Sequence, residues 1–185
     1  GVAITKGKYN TIIGYQALST EDVGDRSIAI GHQALEAQNS DSDNETTANT
    51  AVGFSAGSSN VTGQNNTYLG YQSGKGAGGQ SNSDNTGVGK QALLAITSGQ
   101  YNVAIGQGTG AALTSANYNT LLGRVAGALI TTTEGCTLLG YAAGDAINST
   151  DALGTTAVGY AAASAITSGI GNVAIGSGSL FTEDT

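Results

Sequence analysis

Apolar and polar positions along this chain alternate over stretches of only five residues, and the same stretch returns ten times. Each copy reads as a small polar residue, a β-branched residue, a variable residue, an aliphatic residue and glycine. The copies end at Gly14, Gly31, Gly53, Gly70, Gly89, Gly106, Gly123, Gly140, Gly159 and Gly176. The intervals between these glycines are 17, 22, 17, 19, 17, 17, 17, 19 and 17 residues. The period is therefore 17, with insertions of five, two and two residues in three copies. Self-similarity at a fixed period is the mark of a stacked repeat architecture.

Each column of the repeat carries a physical meaning. The residue before the glycine is Ile, Val or Leu in every copy, from Ile13 to Ile175, and two positions earlier it is Thr, Val or Ile. Residues two apart share a strand face, and β-branched side chains suit a pleated surface. Each phrase thus predicts a short strand, with these two columns turned inward. The glycine reads as a corner, because glycine reaches backbone angles closed to other residues and lets chains approach closely. Three residues on, the side chain is always Ala, Ser or Thr, which predicts a second strand packed tightly against the first. Gly24, Gly63, Gly99 and Gly169 recur ten residues past the corner and mark a return turn. Asn10, Asn49, Asn66, Asn85, Asn102, Asn119 and Asn172 stand four before the corner, where stacked amides can form a hydrogen-bonded ladder.

The fold expected is all-β: a repetitive β-solenoid, or β-roll, of about ten coils of 17 residues, filling 1–185 as a single domain. Stacked at roughly 4.8 Å, ten coils make a rod about 48 Å tall. The insertions, within Gln38–Ala48, Gly78–Asp84 and Thr150–Gly154, should bulge from the turns without breaking the stack.

Composition sharpens this picture. The chain has 30 Gly, two Phe, no Pro, Met or Trp, and only 10% charged residues. Its core is therefore slim, even with Leu113, Ile130, Ile147 and Ile166 adding an aliphatic residue in some coils. At about 25 cal/mol per Å² of apolar surface, small side chains return little against roughly 1–2 kcal/mol of ordering cost per residue. Self-association along an apolar face would supply the missing burial, with cyclic symmetry closing it. The net charge of −7 excludes a phosphate-binding surface, hence nucleic acid, and a basic membrane-binding face. No apolar run reaches transmembrane length. Without Met and opening on Gly1-Val2-Ala3-Ile4, the sequence reads as a segment of a longer fibre protein. The lone Cys136 excludes an intrachain disulfide framework.

The phrases Asn-Val-Ala-Ile-Gly at 102–106 and 172–176, and Ser-Ile-Ala-Ile-Gly at 27–31, resemble the head repeats of YadA-like trimeric autotransporter adhesins. Longer units such as Asn-Thr-Ile-Ile-Gly-Tyr-Gln-Ala-Leu at 10–18 resemble repeats of bacteriophage tail fibres and tailspikes. The likeness runs from about Asn10 to Ser179. It implies a left-handed roll, a homotrimer, and a rod that spaces or presents a receptor-binding surface on a phage tail. The expected partners are then other virion tail proteins and a host cell-surface glycan or protein, with no cofactor and no enzymatic activity. A period of 17 departs from the shorter turns of adhesin heads and favours the virion over the bacterial surface. A polysaccharide-degrading tailspike is the remaining alternative.

Three sets of residues are candidate sites. Tyr15, His32, Phe54, Tyr71, Tyr141 and Tyr160 follow the corner glycine and should stack one per coil along an edge. Aromatic faces stack on sugars, so a glycan could lie there, although packing against a neighbouring chain is the simpler reading. His32 is the only histidine and has no signalled nucleophile or carboxylate partner. Asp41, Asp43 and Glu45 alternate and could wrap Ca²⁺, but lack the glycine and terminal Glu of an EF-hand loop. Ice binding, a property of flat solenoids with threonine arrays, is disfavoured by a Thr column turned inward.

Overall fold

The computed structural model describes residues 4–148, 152–166 and 168–181. Ten three-residue strands form one sheet: β1 Thr11–Ile13, β2 Ile28–Ile30, β3 Thr50–Val52, β4 Thr67–Leu69, β5 Thr86–Val88, β6 Val103–Ile105, β7 Thr120–Leu122, β8 Thr137–Leu139, β9 Thr156–Val158 and β10 Val173–Ile175. All neighbours are parallel and the order is sequential, so the chain is a solenoid with one coil per repeat. The insertions leave the register untouched: Ile28 pairs with Thr50, Thr67 with Thr86, and Thr137 with Thr156. Thr150 and Asp151 of the third insertion lie outside the described residues.

The strands present the opposite face from the one their sequence suggests. The variable middle residue is inside: Ala29, Ala51, Tyr68, Ala104, Leu121, Leu138 and Ala157 are fully buried. The aliphatic column faces out, with Ile13 59%, Leu69 48%, Leu122 44% and Ile175 70% exposed. The Thr/Val column faces out beside it. Strand parity explains the reversal. Asn49, Asn66, Asn85, Asn102 and Asn119 are buried, and they share a parity with the middle residue, so the columns on either side of that residue must point away. The middle column that faces the lumen is Ala at five of its ten positions, and the aliphatic column falls outside by parity, not by size.

The middle column is constrained by volume rather than by residue type. The fourth residue past the corner lies across the lumen from this column, and in several coils a large residue in one is met by glycine in the other. Tyr68 fills space left by Gly57, Gly74 and Gly87; a Cβ on Gly74 would overlap the Tyr68 ring. Leu121 and Leu138 likewise sit against Gly110, Gly127 and Gly144. Opposite Ala29 and Gly87 stand Leu35 and Leu93, both fully buried, whereas Ala51 and Ala104 are paired with Gly57 and Gly110, whose space is filled from adjacent coils by Leu35, Tyr68, Leu93 and Leu121. The aliphatics Ile96, Leu113, Ile130, Ile147 and Ile166, seven past the corner, are all buried, while the equivalent places in the first three coils are Glu21, Gln38 and Asn60.

The segment after the corner is a turn ladder and not the second strand that its small side chains suggest. Its second and fourth residues are left-handed, as at Gln16 (φ 54), Leu18 (φ 47), Gln33 (φ 58) and Leu35 (φ 50). Coils still bond there, Gln33 N–H to the Tyr15 carbonyl and Leu18 N–H to the Ala34 carbonyl, both at 2.9 Å. The small column is buried as expected from Ala17 to Ala162. The corner glycine is required twice over. Gly123 has φ +132, and a Cβ there would overlap the carbonyl oxygen of Gly140.

Candidate functional site

The outward side of the sheet is a flat two-column face. Threonine fills the first column in seven of ten rows, and Ile, Val or Leu fills the second in all ten. In-step register places each row directly over the next, at the coil spacing. The sequence pattern suggests an interior place for this face, so its outward orientation also removes the objection to a threonine array meeting water.

One flank of the face is the predicted aromatic ladder, and the structure assembles it. Tyr15 and His32 have ring centroids 5.3 Å apart, His32 and Phe54 stack at 5.0 Å and 8°, and Phe54 and Tyr71 at 5.4 Å and 14°. Lys90 Nζ then lies 6.0 Å from the Tyr71 ring centre. Further along, Arg124 caps Tyr141 at 5.5 Å, and Tyr141 stacks on Tyr160 at 5.1 Å and 12°. The rings are exposed, but they spend their faces on one another and on the two cations. Stacking of a sugar on an inner ring face of this ladder is therefore blocked, and the ring edges are what solvent meets. His32 is held between two rings, and catalysis gains nothing from that position.

A second ladder is not foreshadowed by any motif. Five residues before the corner stand Tyr9, Arg26, Tyr101 and Tyr118, each left-handed with φ 57 to 64. Arg26 lies over the Tyr9 ring at 5.5 Å, and Tyr101 and Tyr118 stack at 5.3 Å and 2°. The column is Gly at 135, 154 and 171, so its residue type varies too much to announce itself. The only signal is the recurrence of residues that tolerate a left-handed backbone.

The acidic loop does not form the proposed cation site. Asp43 pairs with Lys6 at 2.6 Å, Glu45 accepts from the Asp41 N–H at 3.0 Å and from the Gln64 amide, and the carboxylates diverge. Among the described residues no three His, Cys, Asp or Glu side chains cluster to hold a metal. Glu21, by contrast, is fully buried and accepts from the N–H groups of Val23, Gly24 and Ser40 and from the Ser40 hydroxyl. It closes an early coil where later coils use Ile or Leu.

Cys136 takes the place of an Asn in the ladder and is fully buried; burial raises its thiol pKa and keeps it protonated. Among the described residues no helix is long and apolar enough to cross a membrane. Comparison with family models, curated proteins and solved structures finds no match, so this chain's fold and surfaces are read from its own residues.

Proposed function

We propose that this chain is a structural and adhesive rod segment of a phage tail fibre, a homotrimer that spaces or presents a host-receptor-binding surface. The observation that carries the reading is the unpartnered sheet face of threonine and aliphatic side chains. Nine coil intervals of about 4.8 Å make it about 43 Å long, and its two columns stand about 7 Å apart. That is roughly 300 Å² before the flanking tyrosines are counted, the size of the largest patch on an ordinary monomer, here drawn out as one continuous stripe. A second and third copy of the same face, closed around an axis, would cover it without open-ended growth. The choice of three rests on the likeness of the repeats to trimeric fibres and adhesins.

The lumen alone supports the same view. It holds many Ala side chains with one or two Leu or Ile in most coils, while a further Ile, Val or Leu per coil stands on the outer face. Buried in a trimer, Ile105, Leu122 and their neighbours become a second core. The partners would be other tail proteins and a host cell-surface glycan or protein. The head of a trimeric autotransporter adhesin is the alternative that the same geometry serves. A polysaccharide-degrading tailspike has less support, because the crowded acids turn to separate partners.

The test is a pair of charges on the face. Ile105→Asp with Leu122→Asp should give a folded monomer with an unchanged far-ultraviolet spectrum. A double variant that stays associated overturns the assignment of this face to the interface.

A second reading rests on the same outward threonines. A flat array of Thr beside aliphatics can order water at a crystal surface, and the monomer would then be an ice-binding rod. Thermal hysteresis in a monomeric sample would favour it over the trimer, which hides the array.

A further inference from the structure

We propose that a groove on the turn side of the first four coils binds a neutral oligosaccharide. The proposal deepens the reading of the rod as a receptor-presenting segment and rests on that reading for its biological setting. The groove encloses about 770 Å³ and draws all its lining from turn segments, none from a strand, so association through the sheet face leaves it open. That volume lies within the range of small-ligand sites, about 300–1,000 Å³.

Its lining is a row of amides and hydroxyls. Gln16, Gln33, Ser55 and Gln72 stand one per coil at the second residue past the corner. The Gln33 amide donates to the Gln16 oxygen at 3.3 Å, and the Ser55 hydroxyl donates to the Gln33 oxygen at 3.3 Å. Ser19, Thr20, Ser58 and Ser59 add hydroxyls beside them. The insertion in the fourth coil supplies the end wall through Gly78, next to Lys75. Phe54 contributes an edge, since its faces are taken by His32 and Tyr71.

The later coils show that the fold does not need this polarity. The same position is Gly108, Val125, Ala142, Ala161 and Gly178 in coils six to ten. Three residues further along, Ser19, Glu36, Ser58 and Lys75 give way to Leu94, Ala111 and Ala128 in coils five to seven, before Asp145 and Ser164 restore polarity in the next two. The glutamines also occupy left-handed backbone, φ 54 to 58, which glycine adopts more readily. The first five coils thus carry an amide or hydroxyl, from Gln16 to Gln91, where later coils carry Gly, Val or Ala, and the first four of these side chains line the groove.

The chemistry selects the ligand class. Amides and hydroxyls both donate and accept, as do sugar hydroxyls. Glu36 and Lys75 contribute one charge of each sign, so there is no field for a phosphate, sulfate or carboxylate. The walls carry no Leu, Ile, Val or Met side chain of the kind that lines a lipid-tail site. Three coil intervals give a length of about 14 Å, which suits a short saccharide lying along the rod.

The test is an immobilised panel of neutral, carboxylated and sulfated oligosaccharides, followed by saturation-transfer NMR with the neutral compounds. The wild-type rod is expected to bind neutral compounds, and Gln33→Gly with Gln72→Gly to weaken that binding at least tenfold. Glycine is the apt replacement because Gly108 and Gly178 hold the equivalent left-handed position, at φ 65 and 63. Val125→Gly, at the same position three coils beyond the lining, should bind as wild type does. Preference for charged compounds, unchanged binding by the double variant, or no binding to any compound at millimolar concentration would each overturn the proposal. Association state measured on the same samples judges the rod reading separately.

Discussion

The side-chain oxygen of Asn85 accepts both the backbone N–H and the side-chain N–H of Asn102, each at 3.0 Å. Asn102 does the same for Asn119 at 3.1 Å, and its amide also reaches the Ala116 carbonyl at 2.8 Å. One buried side chain therefore ties three successive coils and leaves no ladder group bare. Such closure is what lets a lumen rich in alanine hold together, because each coil's backbone bonds are relayed to the next.

Asn102→Leu keeps the volume but orphans the Asn119 N–H and the Ala116 carbonyl in a dry interior. Buried groups without partners cost about 1–3 kcal/mol each, so the variant should lose about 2–4 kcal/mol. Urea unfolding followed by circular dichroism measures it. A loss no larger than that of an exposed control such as Asn148→Leu would mean the ladder is not a source of stability.

The corner column predicts a sharp contrast between two glycines. At Gly123 a methyl group meets the Gly140 carbonyl and strains the backbone, so Gly123→Ala should cost about 3 kcal/mol or more. Gly178 is also left-handed, at φ +63, but a Cβ there meets nothing within 4 Å. Gly178→Ala should cost only about 1 kcal/mol. Paired thermal melts read the difference.

Tyr68 sets an alkaline limit. Burial pushes its phenol far above the usual 10.0, and its hydroxyl donates to the Asn82 side-chain oxygen. The unfolded chain releases that proton near pH 10, whereas the folded chain keeps it. Its contribution is thus whole below pH 10 and declines as pH climbs above 10, by up to about 1.4 kcal/mol per unit. Urea midpoints at pH 9 to 12 should fall more steeply for wild type than for Tyr68→Phe. Parallel declines would assign the alkaline loss to other groups.

Much of the architecture is legible in the amino-acid sequence. The glycine spacing defines the coils, the insertions fall where the stack tolerates them, and Asn10 to Asn119 announce a ladder. The faces are not legible in the same way, because a period of two says which residues share a side and is silent about which side is inside. Leu121 and Leu122 illustrate the ambiguity: adjacent, identical in type, one wholly buried and one 44% exposed. The Asn column of the same repeat is the available clue, since a column meant to bond along the stack must be internal. The size exchange between Tyr68 and Gly74 is invisible within any one column and shows only across the lumen. The aromatic ladder from Tyr15 to Tyr160 follows from its position in the repeat, but the consequence of ring-on-ring stacking for a sugar needs the distances. The groove is only faintly signalled: Gln16 and Gln33 belong to the recurrent Gln-Ala-Leu phrase, which Gln91 shares outside the groove, and their meeting with Gln72 along one wall shows only in three dimensions.

The proposed fibre reading calls for other copies of the chain to cover the exposed threonine and aliphatic columns. Sedimentation equilibrium at micromolar concentration addresses this without a variant or a ligand. A single species of about 55 kDa, three times the 18.2 kDa chain, is the expected result. A monodisperse 18.2 kDa particle across that range would contradict it and leave the face to some other occupant.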